Sequence, residues 1–380
     1  MGLCNSERIN SRATKNQIFV VKDVKKNNMK QNIKCIVWDL DDTLWNGTLA
    51  EDATVVVRRE IRSIIENLDK KGILHSIASR NSHEDAMARL RKEGLDEYFL
   101  YPQITWGPKS ESIETISRKL NLGLDTFVFV DDQEFERDEV SFNLREVWCL
   151  DSQDSSSLEI LAALRPKFVT DDSAKRRQMY LSDAVRNAVE ESFEGPKEAF
   201  LASLGLRFRV TDATVEDLHR AEELTVRTNQ LNTTGITFSY EELKGFLNSK
   251  DHMFWIADLD DRYGTYGKIG LALIEVHPDI WRIRLLLMSC RVMARGVGNV
   301  MINLIREKAK KAGVRLQAEF IETDRNRMMY MTYKFANFIE VQKDGSNIVF
   351  ENQLEDIAPT PSYLELDASR LKVDGVRPSA

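Results

Sequence analysis

The sequence lacks what a membrane or secreted protein needs. No apolar run approaches the roughly 18 residues that cross a bilayer, and the N-terminal stretch is polar, without the apolar core of a secretory signal. A cytoplasmic protein is therefore expected. Cysteine is scarce: Cys4, Cys35, Cys149 and Cys290 are scattered, with no CxxC pair and no zinc spacing, which argues against a disulfide or zinc scaffold and fits reduced thiols. The five histidines show no HExxH or related metal spacing. A basic excess is also missing, since Lys+Arg number 53 and Asp+Glu 60, a net charge of −7. Neither nucleic acid nor an anionic membrane surface is expected as a partner, and any phosphate must be held locally. There is no internal repeat and no low-complexity tract. Met1-Gly2 with Ser6 matches a loose N-myristoylation pattern, with Cys4 as a site for a second acyl chain.

What is present is an ordinary globular composition: 380 residues, 42% hydrophobic and 30% charged, enough for a large core divided into two or three domains. Positions 1–31 are polar and Lys-rich and read as an N-terminal extension. Across 32–165, short β-rich runs at 33–38, 73–77, 127–130 and 147–150 alternate with helical patterns at 58–68, 83–92 and 109–120, as a parallel sheet wound with helices requires. Positions 166–198 form a helical linker opened by Asp171 and Asp172. In it Lys175, Arg176 and Arg177 read as a solvated helix face or as a docking patch for an acidic carrier protein. A second domain covers 199–350, with strands at 208–210, 253–257, 270–276, 281–288 and 316–321 and helices from 214, at 297–312 and at 327–335. Positions 351–380, with Pro359 and Pro361, are expected to be a poorly packed C-terminal extension.

The chemistry of the first domain gathers where strands end. Asp39 and Asp41 follow the apolar run 33–38 on alternate positions, and Asp131-Asp132 follow the run 127–130. The C-terminal edge of an open parallel sheet is where ligands bind. Carboxylates this close repel one another unless a cation sits among them, so a hard ion such as Mg²⁺ is expected. Ser79-Arg80-Asn81 end the run 73–77, and Lys109 opens a helix. A hydroxyl, a helix N-terminus and an ammonium are groups that hold phosphoryl oxygens. In the second domain the run 281–288 leads through Ser289, Cys290, Arg291, Ala294, Arg295, Gly296 and Gly298 into an amphipathic helix. Small residues in such a turn let backbone N–H groups converge on an anion such as a pyrophosphate or a phosphopantetheine phosphate.

The order Asp39-x-Asp41-x-Thr43, Ser79, Lys109, Asp131-Asp132 resembles the four motifs of the haloacid dehalogenase (HAD) superfamily of phosphatases. That resemblance implies Asp39 as the nucleophile that takes the phosphoryl group and Asp41 as the acid/base. It implies Asp39, Asp131, Asp132 and the Asp41 carbonyl as Mg²⁺ ligands, and Ser79 and Lys109, with Arg80 and Asn81, as phosphate-binding residues. The turn 291–298 resembles the Arg-x-x-Gly-x-Gly turn of GNAT acyltransferases, with Ala294 at a usual Gly, and Thr323 to Asn326 with Tyr330 resemble a later segment of that fold. Together with the motif Thr228-Asn229-Gln230-Leu231-Asn232-Thr233-Thr234 and Ser289-Cys290-Arg291-Val292, the chain resembles the FkbH-like family over roughly 30–345. It departs from that family at Asp42, Gln133, Ala294 and Asn337.

The family resemblance implies an α/β fold, a HAD-like Rossmannoid parallel sheet followed by a GNAT-like α/β domain. It implies Mg²⁺-dependent dephosphorylation of 1,3-bisphosphoglycerate, with the glyceryl group passed to the phosphopantetheine thiol of an acyl carrier protein for polyketide synthesis. The pantetheine and acyl group would then meet Arg291, Ala294, Arg295, Gly296, Gly298, Asn229, Gln230, Asn232, Thr233, Asn326 and Tyr330. A phosphatase on another metabolite, with the second domain only binding, is the alternative. Cys290, beside Arg291, reads either as an acyl-accepting nucleophile or as a buried strand cysteine; Cys35 and Cys149 read as core.

Overall fold

The structure is a computed structural model that describes residues 33–52, 54–228 and 230–371. The extension expected over 1–31, with Cys4, and the site candidate Asn229 lie outside the described residues. The chain divides into two compact units after Leu181, a point inside the helix Arg176–Ser192.

The first unit is built on the apolar runs that alternate with helices. Strand β1 (Cys35–Trp38) is buried at every position, as a strand covered by helices on both faces must be. It is followed by a short ribbon of β2 (Trp45–Asn46) and β3 (Val56–Val57), then β4 (Leu74–Ser79), β5 (Gln103–Ile104), β6 (Phe127–Asp131) and β7 (Trp148–Asp151). The sheet order is β5-β4-β1-β6-β7, and all its pairings are parallel. Helices Arg59–Lys70, His83–Glu93, Lys109–Leu120 and Glu134–Asn143 connect the strands. Their ends follow local chemistry: Ser82 accepts from the Asp85 amide at the start of one, and Gly94 takes the left-handed conformation after it.

The second unit carries a mixed sheet. Its strands are β8 (Leu206–Asp212), β9 (His252–Asp261), β10 (Gly264–Val276), β11 (Ile280–Met288), β12 (Arg315–Ile321), β13 (Phe338–Asp344), β14 (Asn347–Asn352) and β15 (Leu364–Asp367). Their order is β13-β14-β12-β11-β10-β9-β8-β15. One hydrophobic cluster, including Trp255, Trp281 and Ile305, fills one side, and another, including Leu218, Leu243 and Leu285, fills the other. The parallel pairing of β11 with β12 holds only from Ile280 to Ile283 against Arg315 to Ala318; beyond it the two strands part.

The expected α/β class holds: a parallel sheet wound with helices is followed by a second α/β unit with a mixed sheet. Two local expectations do not hold. As far as Leu371 the C-terminal segment is not a loose extension, because β15 pairs in parallel with β8, Leu364 opposite Leu206, and Leu364 and Leu371 are buried in the core; 372–380 lie outside the described residues. Arg176 and Arg177 are not a solvated face: Arg176 Nη1 donates to the Gly72 carbonyl at 2.6 Å and Arg177 Nε to Asp69 Oδ1 at 3.0 Å. Charged composition at helical spacing could not distinguish solvent from carboxylate partners brought by the fold.

Candidate active site

The C-terminal edge of the parallel sheet gathers the carboxylates. Asp39 directly follows β1, its amide donating to the Val130 carbonyl at 2.9 Å, and Asp131 ends β6 beside it. Lys109, at the start of the helix after β5, places Nζ 2.8 Å from Asp39 Oδ1 and in contact with Asp131 Oδ2. Asp39, Asp131 and Lys109 are all buried. Burial pushes the Asp39 carboxyl up to about 7 against the opposing pull of Lys109, and the neighbouring Asp131 adds to the rise. Burial opposes the charge on Lys109, but Asp39 and Asp131 together hold its ammonium above its ordinary value.

Asp39, Asp131 and Asp132 bring carboxylate oxygens within 4.8 Å of one another. That donor set of hard oxygens, three carboxylates against the single Lys109 ammonium and partly buried, fits Mg²⁺. Bound there, the ion would draw charge from phosphoryl oxygens. Thr43 braces Asp132, accepting from its amide at 3.0 Å while the Thr43 hydroxyl lies 3.1 Å from Ser152 Oγ.

Asp41 sits apart from that group of three, held by three donors: Trp45 Nε1 at 2.8 Å and the Leu49 amide at 3.0 Å on Oδ1, and Asn81 Nδ2 at 3.0 Å on Oδ2. Its carboxylate is thus oriented by the chain itself. Asp42 takes φ +49, a left-handed turn that Asp and Asn tolerate. Ser79 hydrogen-bonds Asp39, and Asn81 Nδ2 also reaches Ser79 Oγ at 3.3 Å. The structure therefore brings together Asp39, Asp41, Ser79, Asn81, Lys109, Asp131 and Asp132. Trp45 is a contact to Asp41 that motif spacing alone does not single out.

In the second unit the parted strands leave β11 with unpaired backbone groups, and the chain fills the gap itself. Thr233 N donates to the Leu286 carbonyl at 3.0 Å, Met288 N to the Leu231 carbonyl at 2.9 Å, and Ile321 N of β12 to the Thr233 carbonyl at 3.0 Å. Asn326 Nδ2 ties this segment down through the Asn232 carbonyl at 3.1 Å. Asn232, Thr233 and Asn326 are buried, so these three candidates build the gap filling; Gln230 is exposed.

Beside the filled gap lies a cavity of about 480 Å³, lined by Leu231, Met288, Gly296, Gly298, Arg327 and Phe335 among others. Gly296 has φ +76, and a Cβ there would lie 2.5 Å from the Tyr363 hydroxyl, so only glycine turns the chain into the helix Val297–Ala312. The other turn candidates do not face this cavity. Arg295 is buried against Glu190 at 2.9 Å, and Arg291 Nη2 donates to the Tyr266 carbonyl at 2.7 Å. Ala294 is exposed, and Tyr330 donates its hydroxyl to Glu340. Cys290 is exposed in a 3₁₀ turn rather than buried in a strand, which overturns the core reading. Cys35 is buried and Cys149 half-buried, and burial pushes both thiols up.

No family model matches the sequence, and no curated protein does. Among solved structures, the chain is similar to the N-terminal part of a Bacteroides fragilis protein, containing a phosphatase domain and complexed with Mg. The identity is 24% over 36% of this chain and 42% of that one, with a TM-score of 0.34. It is also similar to the ribosomal-protein-S18-alanine N-acetyltransferase of Escherichia coli, at 14% identity over 38% of this chain and 92% of that one, TM-score 0.31. A third similarity is to PaiA N-acetyltransferase of Thermoplasma acidophilum in complex with coenzyme A, at 15% identity over 38% and 98%, TM-score 0.28.

Proposed function

We propose that this chain is an FkbH-like enzyme that removes phosphate from 1,3-bisphosphoglycerate and passes the glyceryl group to the phosphopantetheine thiol of an acyl carrier protein, supplying a polyketide precursor. The observation that carries the reading is the buried Lys109 bridge between Asp39 and Asp131, with Asp132 beside them. A carboxylate kept next to an ammonium and two further acids is poised to attack phosphorus. An Asp39 oxygen forms the new P–O bond, the bond to the substrate oxygen breaks, and Asp41 delivers the proton to that oxygen. Asp41 then takes a proton from the water that hydrolyses the aspartyl-phosphate.

The acyl phosphate would acylate Cys290: sulfur bonds to the carbonyl carbon, the C–O bond to phosphate breaks, and the carrier thiol takes the acyl group in turn. The exposure of Cys290 supports this step, and the cavity beside Gly296 and Gly298 has room for a pantetheine arm. One observation favours the narrower reading, a phosphatase for another metabolite whose second unit only binds. The Leu231 to Thr233 segment already occupies the β11 backbone groups along which a pantetheine arm would pair.

Intact-mass measurement of holo carrier protein incubated with the enzyme, Mg²⁺ and 1,3-bisphosphoglycerate separates the two. A glyceryl mass shift is expected, and it should be lost with Cys290→Ala while phosphate release continues. Phosphate release with no mass shift would leave the narrower reading.

A further inference from the structure

Arg80, counted among the phosphate-binding residues on the HAD resemblance, is held in an ion pair with Glu136 that the reaction steps above do not use. Arg80 directly follows β4, and Glu136 lies in the first turn of Glu134–Asn143, the helix after β6. Strands β4 and β6 flank β1 on either side, so a bond joining them spans the edge of β1 at which Asp39 stands. Arg80 Nη1 is 2.9 Å from Glu136 Oε1.

The two partners differ sharply in exposure. The side chain of Glu136 is 4% exposed and that of Arg80 39%, and Glu136 Oε2 is buried with no hydrogen-bond partner among the described residues. Burying a carboxylate with one oxygen unpaired is unfavourable, so this glutamate is not there for solubility. It fixes one edge of a planar guanidinium, a group whose remaining N–H donors match a carboxylate or phosphate in a fork. Among the described residues Glu136 is the one ion-pair partner of Arg80, and the exposed side leaves the other donors open.

We propose that Glu136 is a positioning residue that holds Arg80 at the rim of the site, and that Arg80 reads a second anionic group on the substrate. That group is a carboxylate or a further phosphate a few atoms from the phosphoryl group. Arg80 then selects the substrate class, a doubly anionic phosphate ester, rather than gripping the transferred phosphoryl group. This rests on the reading of Asp39 as the phosphoryl acceptor.

The test is calorimetric binding to the full chain carrying Asp39→Asn, with Mg²⁺ present so that ligands are held without turnover. Three probes are compared: ethyl phosphate, phosphoglycolate and ethylene glycol bisphosphate. Adding Arg80→Ala, or separately Glu136→Gln, should weaken a doubly anionic probe by about tenfold or more, the effect of a lost charge-assisted hydrogen bond. Ethyl phosphate should change by less than about twofold, which a merely structural role for Glu136 would not spare. The probe that loses affinity identifies the second group as carboxylate or phosphate. Equal weakening of all three probes, unchanged affinities, or no binding by any of them would overturn the proposal. Failure of the underlying reading shows separately, as continued phosphate release by Asp39→Asn alone.

Discussion

Thr233 and Leu286 are joined twice: the Thr233 amide donates to the Leu286 carbonyl at 3.0 Å, and the Leu286 amide donates to the Thr233 hydroxyl at 3.0 Å. The double link seats a loop residue between two strands that have parted, so that buried backbone groups find partners. Thr233→Val keeps the shape and deletes the hydroxyl, leaving the Leu286 N–H buried without an acceptor. A loss of about 1–3 kcal/mol of stability is expected, read as a lower urea midpoint. An unchanged midpoint would show that the hydroxyl is not what holds the segment.

Asp41 is fixed by Trp45, Leu49 and Asn81, so Asp41→Asn should leave Asp39 free to take the phosphoryl group but slow the steps that need a proton carrier. Aspartyl-phosphate should accumulate in a rapid-quench assay, with turnover reduced by about a hundredfold or more. Unchanged turnover with no trapped phosphoenzyme would remove Asp41 from the acid/base role.

Cation binding should depend on pH in a stated direction. Burial raises the Asp39 carboxyl to about 7, so below that pH a proton occupies the group that a divalent cation needs, and above it the carboxylate is free. Mg²⁺ affinity measured by calorimetry should rise from pH 6 to pH 8, by up to about tenfold per unit below 7. Chelation should abolish phosphate release, and added Mg²⁺ should restore it. An affinity flat across that range would contradict the assignment of Asp39 to the cation site.

His75 gives a second pH dependence, of stability. It is buried in β4, where Nδ1 accepts from Trp38 Nε1 at 3.1 Å, and burial lowers its pKa from 6.5 to about 3. The unfolded chain therefore binds a proton that the folded chain refuses between those values. The stability is complete above about pH 6.5 and is lost as pH falls toward 3, by about 1.4 kcal/mol per unit from this one group. In His75→Phe the slope of stability against pH over that window should flatten by about that amount; the same slope as wild type would exclude His75 as its source.

Much of the fold was legible because its periodic patterns were strong. The helices at 109–120, 297–312 and 327–335 occur with those bounds, and β1, β4 and β6 lie within two residues of the apolar runs that announced them. The carboxylate group was legible for a different reason: each member ends an apolar run, and a parallel sheet carries all such ends to one edge. What escaped was assembled from segments remote in sequence. Nothing in Leu231 to Thr233 shows that it bonds to strands some 55 and 90 residues further on. Phe338–Asp344 is exposed along most of its length, Ile339 and Val341 included, so its short apolar alternation does not mark a core strand. Arg295, read as a turn cation, is drawn inward by Glu190, a partner that turn chemistry could not name.

The measurement closest to the central claim is Mg²⁺-dependent phosphate release by the full chain, compared with its Asp39→Asn variant. The amide cannot attack phosphorus and gives up a cation-facing charge, so release should fall to the uncatalysed level while the circular dichroism spectrum and unfolding midpoint stay close to those of the wild type. Release at the wild-type rate by Asp39→Asn would contradict the assignment of Asp39 as the phosphoryl acceptor.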